Sequence, residues 1–372
     1  MKFLAATSTL VGMIVGVGVF AIPYAVARSG FLVGLFYFFV VGGLVLLVHR
    51  FYGDIVSETP GRHRLIGYAA EYLGNWARRV VTLTTLLGVA GGLLVYLVVG
   101  AQFFGVLVRG GEGLAVVGMV ILGLAAAMAG FRSFGRFELF MTAFLLFTML
   151  LLFVSSLQHF RPFGLFEIGS GRALFLPYGI LLFASSGTVA VPLLTDLLRG
   201  DLPAGKAGRR RLALAITIGT LLPLFLYLLF TIAVLGAIGA SGSATTQEAI
   251  RGLEPILGRP IVVIGALFGL LAVLTSYIVL TRYFASTIEL DGGVPRWIAV
   301  LFASTVPLVL LLLGVRDFIS IIGFIGAVFL GTEGIIISLI HRKLTVAAPR
   351  VVYVAVVGLF SLGVVLHFFT IR

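Results

Sequence analysis

Apolar residues occur along this chain in runs of about 20, and short polar segments separate the runs. An α-helix of that length crosses about 30 Å of hydrocarbon. A window of this length predicts eleven spans, at 4–27, 31–52, 80–108, 113–131, 138–158, 173–197, 211–238, 260–283, 297–314, 318–340 and 350–370. The pattern therefore predicts an all-α integral membrane protein with about 11 transmembrane helices, in a single transmembrane domain over residues 1–372.

Composition and charge agree with a membrane location. Hydrophobic residues make up 60% of the chain and charged residues 11%, whereas soluble domains are about 45–50% apolar and about 25% charged. The net charge is +12, and 18 of the 26 Lys and Arg residues lie on one side of the predicted spans. This asymmetry predicts a cytoplasmic N-terminus and an extracellular C-terminus, and no nucleic-acid partner. Cysteine is absent, which excludes disulfides and thiolate metal sites.

Two spans carry the same glycine- and proline-containing motif. Residues 18–23 in the first span and 187–192 in the sixth both read Gly-x-x-Ala-[Ile/Val]-Pro. Because five spans separate their starts, the two copies cross the membrane in opposite directions, which indicates an inverted repeat. Repeat one is predicted at about 4–158, repeat two at about 173–340, and an additional helix at about 350–370.

The motif predicts an interruption of both helices inside the membrane. Lipid cannot pair the backbone groups that such a break frees, so the break must line an enclosed polar cavity or a ligand. Half-helix N-termini attract carboxylates, and freed carbonyls attract ammonium groups and cations, so a zwitterion fits both. Leu in place of Gly18 or Gly187 is then predicted to fill the ligand space with little loss of folded protein. Close packing of helices through Gly12 and Gly16 is the alternative for the first span.

Four stretches of the chain resemble a known transporter family: GMIVGVGVFAIPYAVARSGF, LPYGILLFASSGTVAVP, LTSYIVL and FIGAVFLGTEGI. They are similar to the amino acid/auxin permease branch of the amino acid–polyamine–organocation superfamily, near the bacterial tyrosine and tryptophan permeases. The similarity covers about residues 3 to 370. It implies the fold of the bacterial leucine transporter, with two inverted five-helix repeats and discontinuous helices 1 and 6. It also implies a symporter for amino acids in a prokaryotic inner membrane, working by alternating access.

Position by position, the resemblance implies a set of substrate-binding residues. They are Val15, Gly16, Val17, Gly18, Tyr96, Phe183, Ala184, Ser185 and Ser186. The first-span backbone would meet the substrate carboxylate, sixth-span carbonyls would meet its amine, and Tyr96 would offer a hydroxyl. A tyrosine packed between helices is the alternative for Tyr96, and a hydroxyl bonded to its own helix is the alternative for Ser186.

The surroundings of the two breaks restrict the substrate. No acidic or basic side chain falls near either break in the sequence, and burying an unpaired charge is costly. A neutral amino acid is therefore favoured. The chain contains 32 Phe residues, which is compatible with an aromatic or other hydrophobic substrate, but aromatic residues also pack against lipid.

A stretch of the eighth span predicts the coupling ion. The Ala272 carbonyl and the Thr275 and Ser276 hydroxyls share one helix face. Resemblance to sodium-coupled members of the fold implies a sodium site there, completed by carbonyls of Gly12 and Val15. In proton-coupled relatives a lysine from the fifth helix can occupy that space. The fifth span of this chain has no Lys or Arg. Sodium coupling is predicted, and no other cofactor. The alternative is that both hydroxyls bond their own helix.

Glu333, in the tenth span, offers proton coupling as a second possibility. Its other interpretation is a carboxylate paired with a cytoplasmic Arg or Lys. The segment HRFYGD has the His-x4-Asp spacing of lipid acyltransferases at His49 and Asp54, which makes an enzyme a remote alternative. Five helical positions turn about 500°, so these two side chains would point apart. His49 and His367 are predicted to be interfacial.

Overall fold

The computed structural model describes residues 2–61, 63–129, 143–144, 147, 150–151, 153–161, 166–199, 206–238, 254–344 and 348–370. No strand occurs among these residues. The helices are α1 (Lys2–Ile14), α2 (Ile22–Ser29), α3 (Phe31–Glu58), α4 (Leu65–Leu73), α5 (Asn75–Leu107), α6 (Glu112–Ala129), α7 (Leu176–Ser185), α8 (Ala190–Arg199), α9 (Lys206–Ile238), α10 (Glu254–Leu257), α11 (Arg259–Gly292), α12 (Arg296–Leu312), α13 (Phe318–Phe324), α14 (Gly331–His341) and α15 (Arg350–Thr370). Short 3₁₀ segments lie at Val17–Ala21 and Gly171–Phe175, and a π-helical turn lies at Ile325–Leu330.

The helices confirm the predicted all-α membrane fold. Seven helical segments are long and apolar enough to cross a membrane, at Phe31–Glu58, Asn75–Leu107, Gly171–Leu198, Ala207–Ile238, Val262–Glu289, Phe318–His341 and Arg350–Phe368. Lys2–Ile14 and Val17–Ser29 together make an eighth, bent by 44°. The fourth and ninth predicted spans correspond to the shorter apolar helices α6 and α12. About half of the fifth predicted span, 138–158, lies outside the described residues.

Burial separates central helices from peripheral ones. In α5, 72% of the membrane-spanning window is buried, whereas in α15 only 22% is buried. Helix α5 packs along α11, and α1 packs on α8 and α9. Because α5 is apolar on all sides and buried, it belongs to the centre of the molecule, while α15 presents most of its surface to lipid.

Two close backbone contacts fix the position of α7. A Cβ on Gly179 would overlap the carbonyl oxygen of Gly323, and a Cβ on Gly326 would overlap that of Gly179. Any side chain at these positions would force the two segments apart. The glycines therefore let α7 lie directly against α13 and the π-helical turn that follows it.

Candidate functional site

The first predicted break is present in the structure. Helix α1 ends at Ile14, and Gly16 adopts an extended conformation with φ −140° and ψ −162°. The 3₁₀ segment Val17–Ala21 follows, and α2 then begins with Pro23 in its first turn. Proline suits this position because a first-turn N–H has no partner within the helix.

The second predicted break is present as well. Helix α7 ends at Ser185, and Ser186 is extended with φ −71° and ψ 125°. The chain then turns until α8 begins at Ala190, again with a proline, Pro192, in the first turn. Both copies of the motif thus interrupt a helix and restart it with a proline.

One tyrosine hydroxyl joins the two breaks. The hydroxyl of Tyr227, on α9, donates to the carbonyl oxygen of Ile14 at 2.7 Å and lies 3.3 Å from that of Ala184. It also accepts a hydrogen bond from the backbone N–H of Gly16. Tyr227 is completely buried, so this hydroxyl pairs backbone groups that have no access to water.

A histidine side chain holds the second break. The Nε2 atom of His49, on α3, accepts the backbone N–H of Gly187 at 3.0 Å, and its Nδ1 lies 2.9 Å from Oγ1 of Thr220 on α9. Because Nε2 is an acceptor, the neutral ring carries its proton on Nδ1 and donates it to Thr220. His49 is fully buried, so the prediction that it is interfacial was wrong.

The arrangement of His49 also removes the basis for an acyltransferase. Asp54 does not pair with His49; its Oδ2 lies 3.2 Å from Nε2 of His341, whose ring stacks on Phe51 at a centroid distance of 4.1 Å. Nδ1 of His341 in turn lies 2.8 Å from the hydroxyl of Tyr353. The two residues of the His-x4-Asp spacing therefore belong to different hydrogen-bonded clusters.

A cavity of about 110 Å³ lies between the two breaks. One water needs roughly 10–15 Å³ measured in this way, so the space is large enough for a ligand. Its wall is formed by Met13, Ile14, Gly16, Val17, Gly18, Tyr52, Leu65, Thr84, Thr85, Gly88, Val89, Gly92, Tyr96, Phe183, Ala184, Ser186, Gly187, Thr188, Val189, Leu280, Tyr283, Ile325, Leu330 and Glu333.

Aromatic side chains mark the two ends of this cavity. Beyond the first break, Phe20 packs edge-on against Phe103 and Phe230, with ring centroids 5.1 and 6.2 Å apart. At the other end, Tyr283 lies in the wall, and the guanidinium of Arg64 stands 5.4 Å from its ring centroid. Arg64 directly precedes α4, a helix within the joint 53–79 that the hydropathy pattern did not predict.

Most of the predicted substrate-binding residues line this cavity. Seven of the nine do so: Gly16, Val17, Gly18, Tyr96, Phe183, Ala184 and Ser186. Val15 and Ser185 are buried outside the wall, and the Ser185 hydroxyl donates to the carbonyl of Leu181 at 2.6 Å. The hydroxyl of Tyr96 shares a hydrogen bond with Ser276.

The two motif glycines line the cavity with their backbones, but a side chain at either position would meet packed residues. A Cβ on Gly18 would lie 2.7 Å from the Cα of Ala184, and a Cβ on Gly187 would lie 2.6 Å from Cδ1 of Leu10. These contacts argue against the expectation that leucine at Gly18 would leave the fold intact, because the overlap there is with backbone, whereas at Gly187 it is with side-chain atoms of Leu10 and Ile14.

The predicted sodium residues lie beside the cavity and outside its wall. The Thr275 hydroxyl donates to the carbonyl of Ala272 at 2.9 Å, within its own helix. Ser276 connects to the first break through Tyr96, whose hydroxyl would lie 3.2 Å from a Cβ on Gly16. None of Gly12, Val15, Ala272, Thr275 and Ser276 is among the described residues of the cavity wall.

Glu333 does lie in the cavity wall. It is 7% exposed and follows the π-helical turn, and its Oε1 accepts the hydroxyl of Thr85 at 2.9 Å. In the part of the chain that the structure describes, no Lys or Arg pairs with it. The interpretation as a partner of a cytoplasmic Arg or Lys therefore has no support. Turns of this kind inside helices are frequent at functional sites.

Solved structures of membrane transporters share this fold. The Eremococcus coleocola manganese transporter, in complex with an aromatic bis-isothiourea compound, is 13% identical, with a TM-score of 0.69 over 100% of this chain and 86% of that one. MhsT in complex with L-phenylalanine is 15% identical, with a TM-score of 0.67 over 99% and 98%. Mhp1, a nucleobase-cation-symport-1 family transporter with bound bromovinylhydantoin, is 14% identical, with a TM-score of 0.68 over 99% and 90%. The fold is therefore that of the leucine transporter type.

The fold and the two broken helices define the class, a membrane protein with the leucine transporter fold. The chain belongs to the tryptophan/tyrosine permease family, whose model matches residues 1–372. No curated protein matches it in sequence. The family confirms the resemblance found in the sequence, and the protein is an amino acid transporter.

Proposed function

We propose that the protein moves a neutral aromatic amino acid across the membrane by alternating access and binds it between the two breaks. The observation that carries this proposal is a cavity bounded by both interrupted backbones. The segment Val17–Ala21 starts at the wall of this cavity. The first backbone N–H groups of a helical segment have no partner within it, and such groups suit a carboxylate. MhsT, which shares the fold, is described in complex with L-phenylalanine.

The remaining wall of the cavity supports an aromatic side chain. Gly88, Val89 and Gly92 of α5 lie along it, together with Ile325 and Leu330 of the π-helical turn. These residues give this part of the wall an apolar surface against which an aromatic ring can pack. Among the described residues, Glu333 is the one charged side chain in the wall, so an anionic substrate side chain would lack a partner there, and a cationic one could pair only with the group to which the proton-coupling role is assigned below.

The orientation in the membrane follows from the basic residues. With the N-terminus on the cytoplasmic side of a prokaryotic inner membrane, the Phe20 cluster faces outward and the α4 end of the cavity faces the cytoplasm. A bundle derived from the repeats at about 4–158 and 173–340 then rocks against a scaffold formed by the remaining helices.

Proton coupling through Glu333 is the coupling that the geometry favours. Its carboxyl group is buried in the cavity wall with one hydroxyl donor and no cationic partner among the described residues. An unpaired carboxylate is costly to bury. The carboxylate of Glu333 therefore takes up a proton when the cavity closes to water. Sodium coupling at Ala272, Thr275 and Ser276 is the second candidate, because Ser276 reaches the first break through Tyr96.

Uptake into proteoliposomes tests the transport proposal. Labelled L-tryptophan or L-tyrosine is expected to accumulate, and unlabelled neutral aromatic amino acids are expected to compete. A folded preparation that neither binds nor accumulates any neutral amino acid would contradict the proposal.

The coupling ion requires a separate experiment. Uptake is measured with sodium replaced by choline at fixed pH, and with a pH gradient in the absence of sodium. Proton coupling predicts that uptake follows the pH gradient and that Glu333→Gln removes this dependence, while Glu112→Gln, an exposed glutamate on α6, does not. Dependence on sodium that is lost in Thr275→Ala and Ser276→Ala would establish the second candidate instead.

A further inference from the structure

We propose that His49 is a positioning residue for substrate binding, which acts through the backbone of the second break. The inference rests on the proposed function, because it assigns a role at the same cavity. His49 is absent from the described wall of the cavity, so any effect on the substrate must pass through a neighbouring group. That group is the peptide unit between Ser186 and Gly187.

The hydrogen bond of His49 fixes the orientation of this peptide unit. Its Nε2 accepts the N–H of Gly187 at 3.0 Å, and the ring is held from its other side by Thr220 at 2.9 Å. A trans peptide is planar, with its N–H and C=O pointing in opposite directions. Since the N–H points to His49 behind the wall, the carbonyl oxygen of Ser186 points to the opposite side, towards the cavity.

The Ser186 carbonyl is available for a ligand, whereas the carbonyls of Phe183, Ala184 and Gly187 are engaged. Among the described residues it accepts no hydrogen bond. The carbonyl of Phe183 accepts the N–H of Ser186 at 3.3 Å, that of Gly187 accepts the N–H of Ala190 at 2.9 Å, and that of Ala184 lies 3.3 Å from the Tyr227 hydroxyl. The carbonyl of Ser186 is thus suited to accept a hydrogen bond from a substrate ammonium group.

The chemistry of the ring explains why histidine occupies this position. A buried imidazole that accepts at Nε2 and donates at Nδ1 can join α3, α9 and the second break at once. Phenylalanine keeps the shape of the ring but loses both polar atoms. Glutamine loses the ring, but its side-chain oxygen can still accept the N–H of Gly187.

Two substitutions of His49 test the inference, with His367→Phe on α15 as the matched control. Kinetics of uptake are measured for L-tryptophan or L-tyrosine, and inhibition is measured with the corresponding 3-arylpropionate, which lacks the amino group. His49→Phe is expected to raise KM about tenfold with Vmax unchanged, and to leave inhibition by the arylpropionate as in the wild type. His49→Gln is expected to recover most of the affinity.

The outcomes separate the inference from the proposed function. Wild-type protein that binds no neutral amino acid overturns both. A wild type that binds, together with an unchanged KM in folded His49→Phe, overturns the inference alone, as does an equal loss of affinity for amino acid and arylpropionate. If His49→Phe does not fold, Thr220→Val takes its place: it keeps the Nε2 acceptor but frees the ring, and a KM like that of the wild type overturns the inference.

Discussion

The two breaks carry the same motif but are held in place by different means. At the first, Gly16 is extended and a five-residue 3₁₀ segment leads into α2. At the second, Ser186 is extended and a short turn leads into α8. The hydroxyl of Tyr227 pairs backbone groups of the first break, whereas the ring of His49 pairs the N–H of the second.

This difference shows that the position of a break and its stability are determined by different residues. Glycine and proline determine where the helix is interrupted, because they act on their own backbone. The polar groups that the interruption frees need partners from other helices, which here are α3 and α9. Two copies of one motif can therefore have different rigidity, and substitutions at each break can separate the two roles.

The largest effect is expected from the contact between the breaks. Gly18→Leu should abolish transport and lower the melting temperature, because its Cβ would lie 2.7 Å from the backbone of Ala184. Overpacking costs about 1–3 kcal/mol and occasionally more, and the upper end is expected here because the overlapping atom belongs to the backbone, which cannot rotate away. Thermal unfolding and uptake measure both effects. Gly43→Leu on α3 is the control, since a Cβ there meets nothing within 4 Å; equal behaviour of the two variants would show that the contact is unimportant.

A smaller effect is expected at the hydroxyl that joins the breaks. Tyr227→Phe leaves the carbonyl of Ile14 and the N–H of Gly16 buried without this partner, which costs about 1–3 kcal/mol. The free energy of unfolding should fall by that amount. Tyr178→Phe removes a buried hydroxyl that has no hydrogen-bond partner among the described residues, so it should be neutral or slightly stabilising. A reversed order of these two variants would argue against the role of Tyr227.

The smallest effect is expected at Tyr96, which contacts the first break but does not hold it. Tyr96→Phe removes a hydroxyl that lies in the cavity wall beside Gly16 and bonds Ser276. The loss of one such hydrogen bond corresponds to about 0.5–1.5 kcal/mol, a several-fold loss of substrate affinity, with stability little changed. Equilibrium binding to purified protein measures it. A large drop in melting temperature with unchanged affinity would assign Tyr96 to packing alone.

The sequence was sufficient for features that depend on local properties. Apolar run length located most of the spans, and the repeated motif located both interruptions. The prediction that His49 is interfacial was wrong because it placed the residue near the end of its span. The apolar run weakens at residue 52, although α3 continues to Glu58. The extra turns are buried against other segments: Gly53 contacts Ile216 of α9, and Glu58 pairs with Arg209. Such contacts depend on which helices are neighbours, and no local pattern encodes that.

The same reason explains why the partners of the breaks were not predicted. Tyr227 lies 213 positions from Ile14, and His49 lies 138 positions from Gly187. A tyrosine or histidine within an apolar run has several ordinary roles, including packing and interfacial anchoring. A histidine within the apolar run that directly follows the first broken span is the sequence signal that could have indicated His49.

The central claim is that the substrate lies between the two interrupted backbones, and anomalous scattering from a bound bromotryptophan tests it most directly. A crystal structure of the complex should place the bromine in the cavity against Gly88 and Gly92, with the carboxylate at the segment Val17–Ala21. A bromine peak elsewhere, for example in the groove lined by Phe36, Tyr178 and Gly363, would contradict the account.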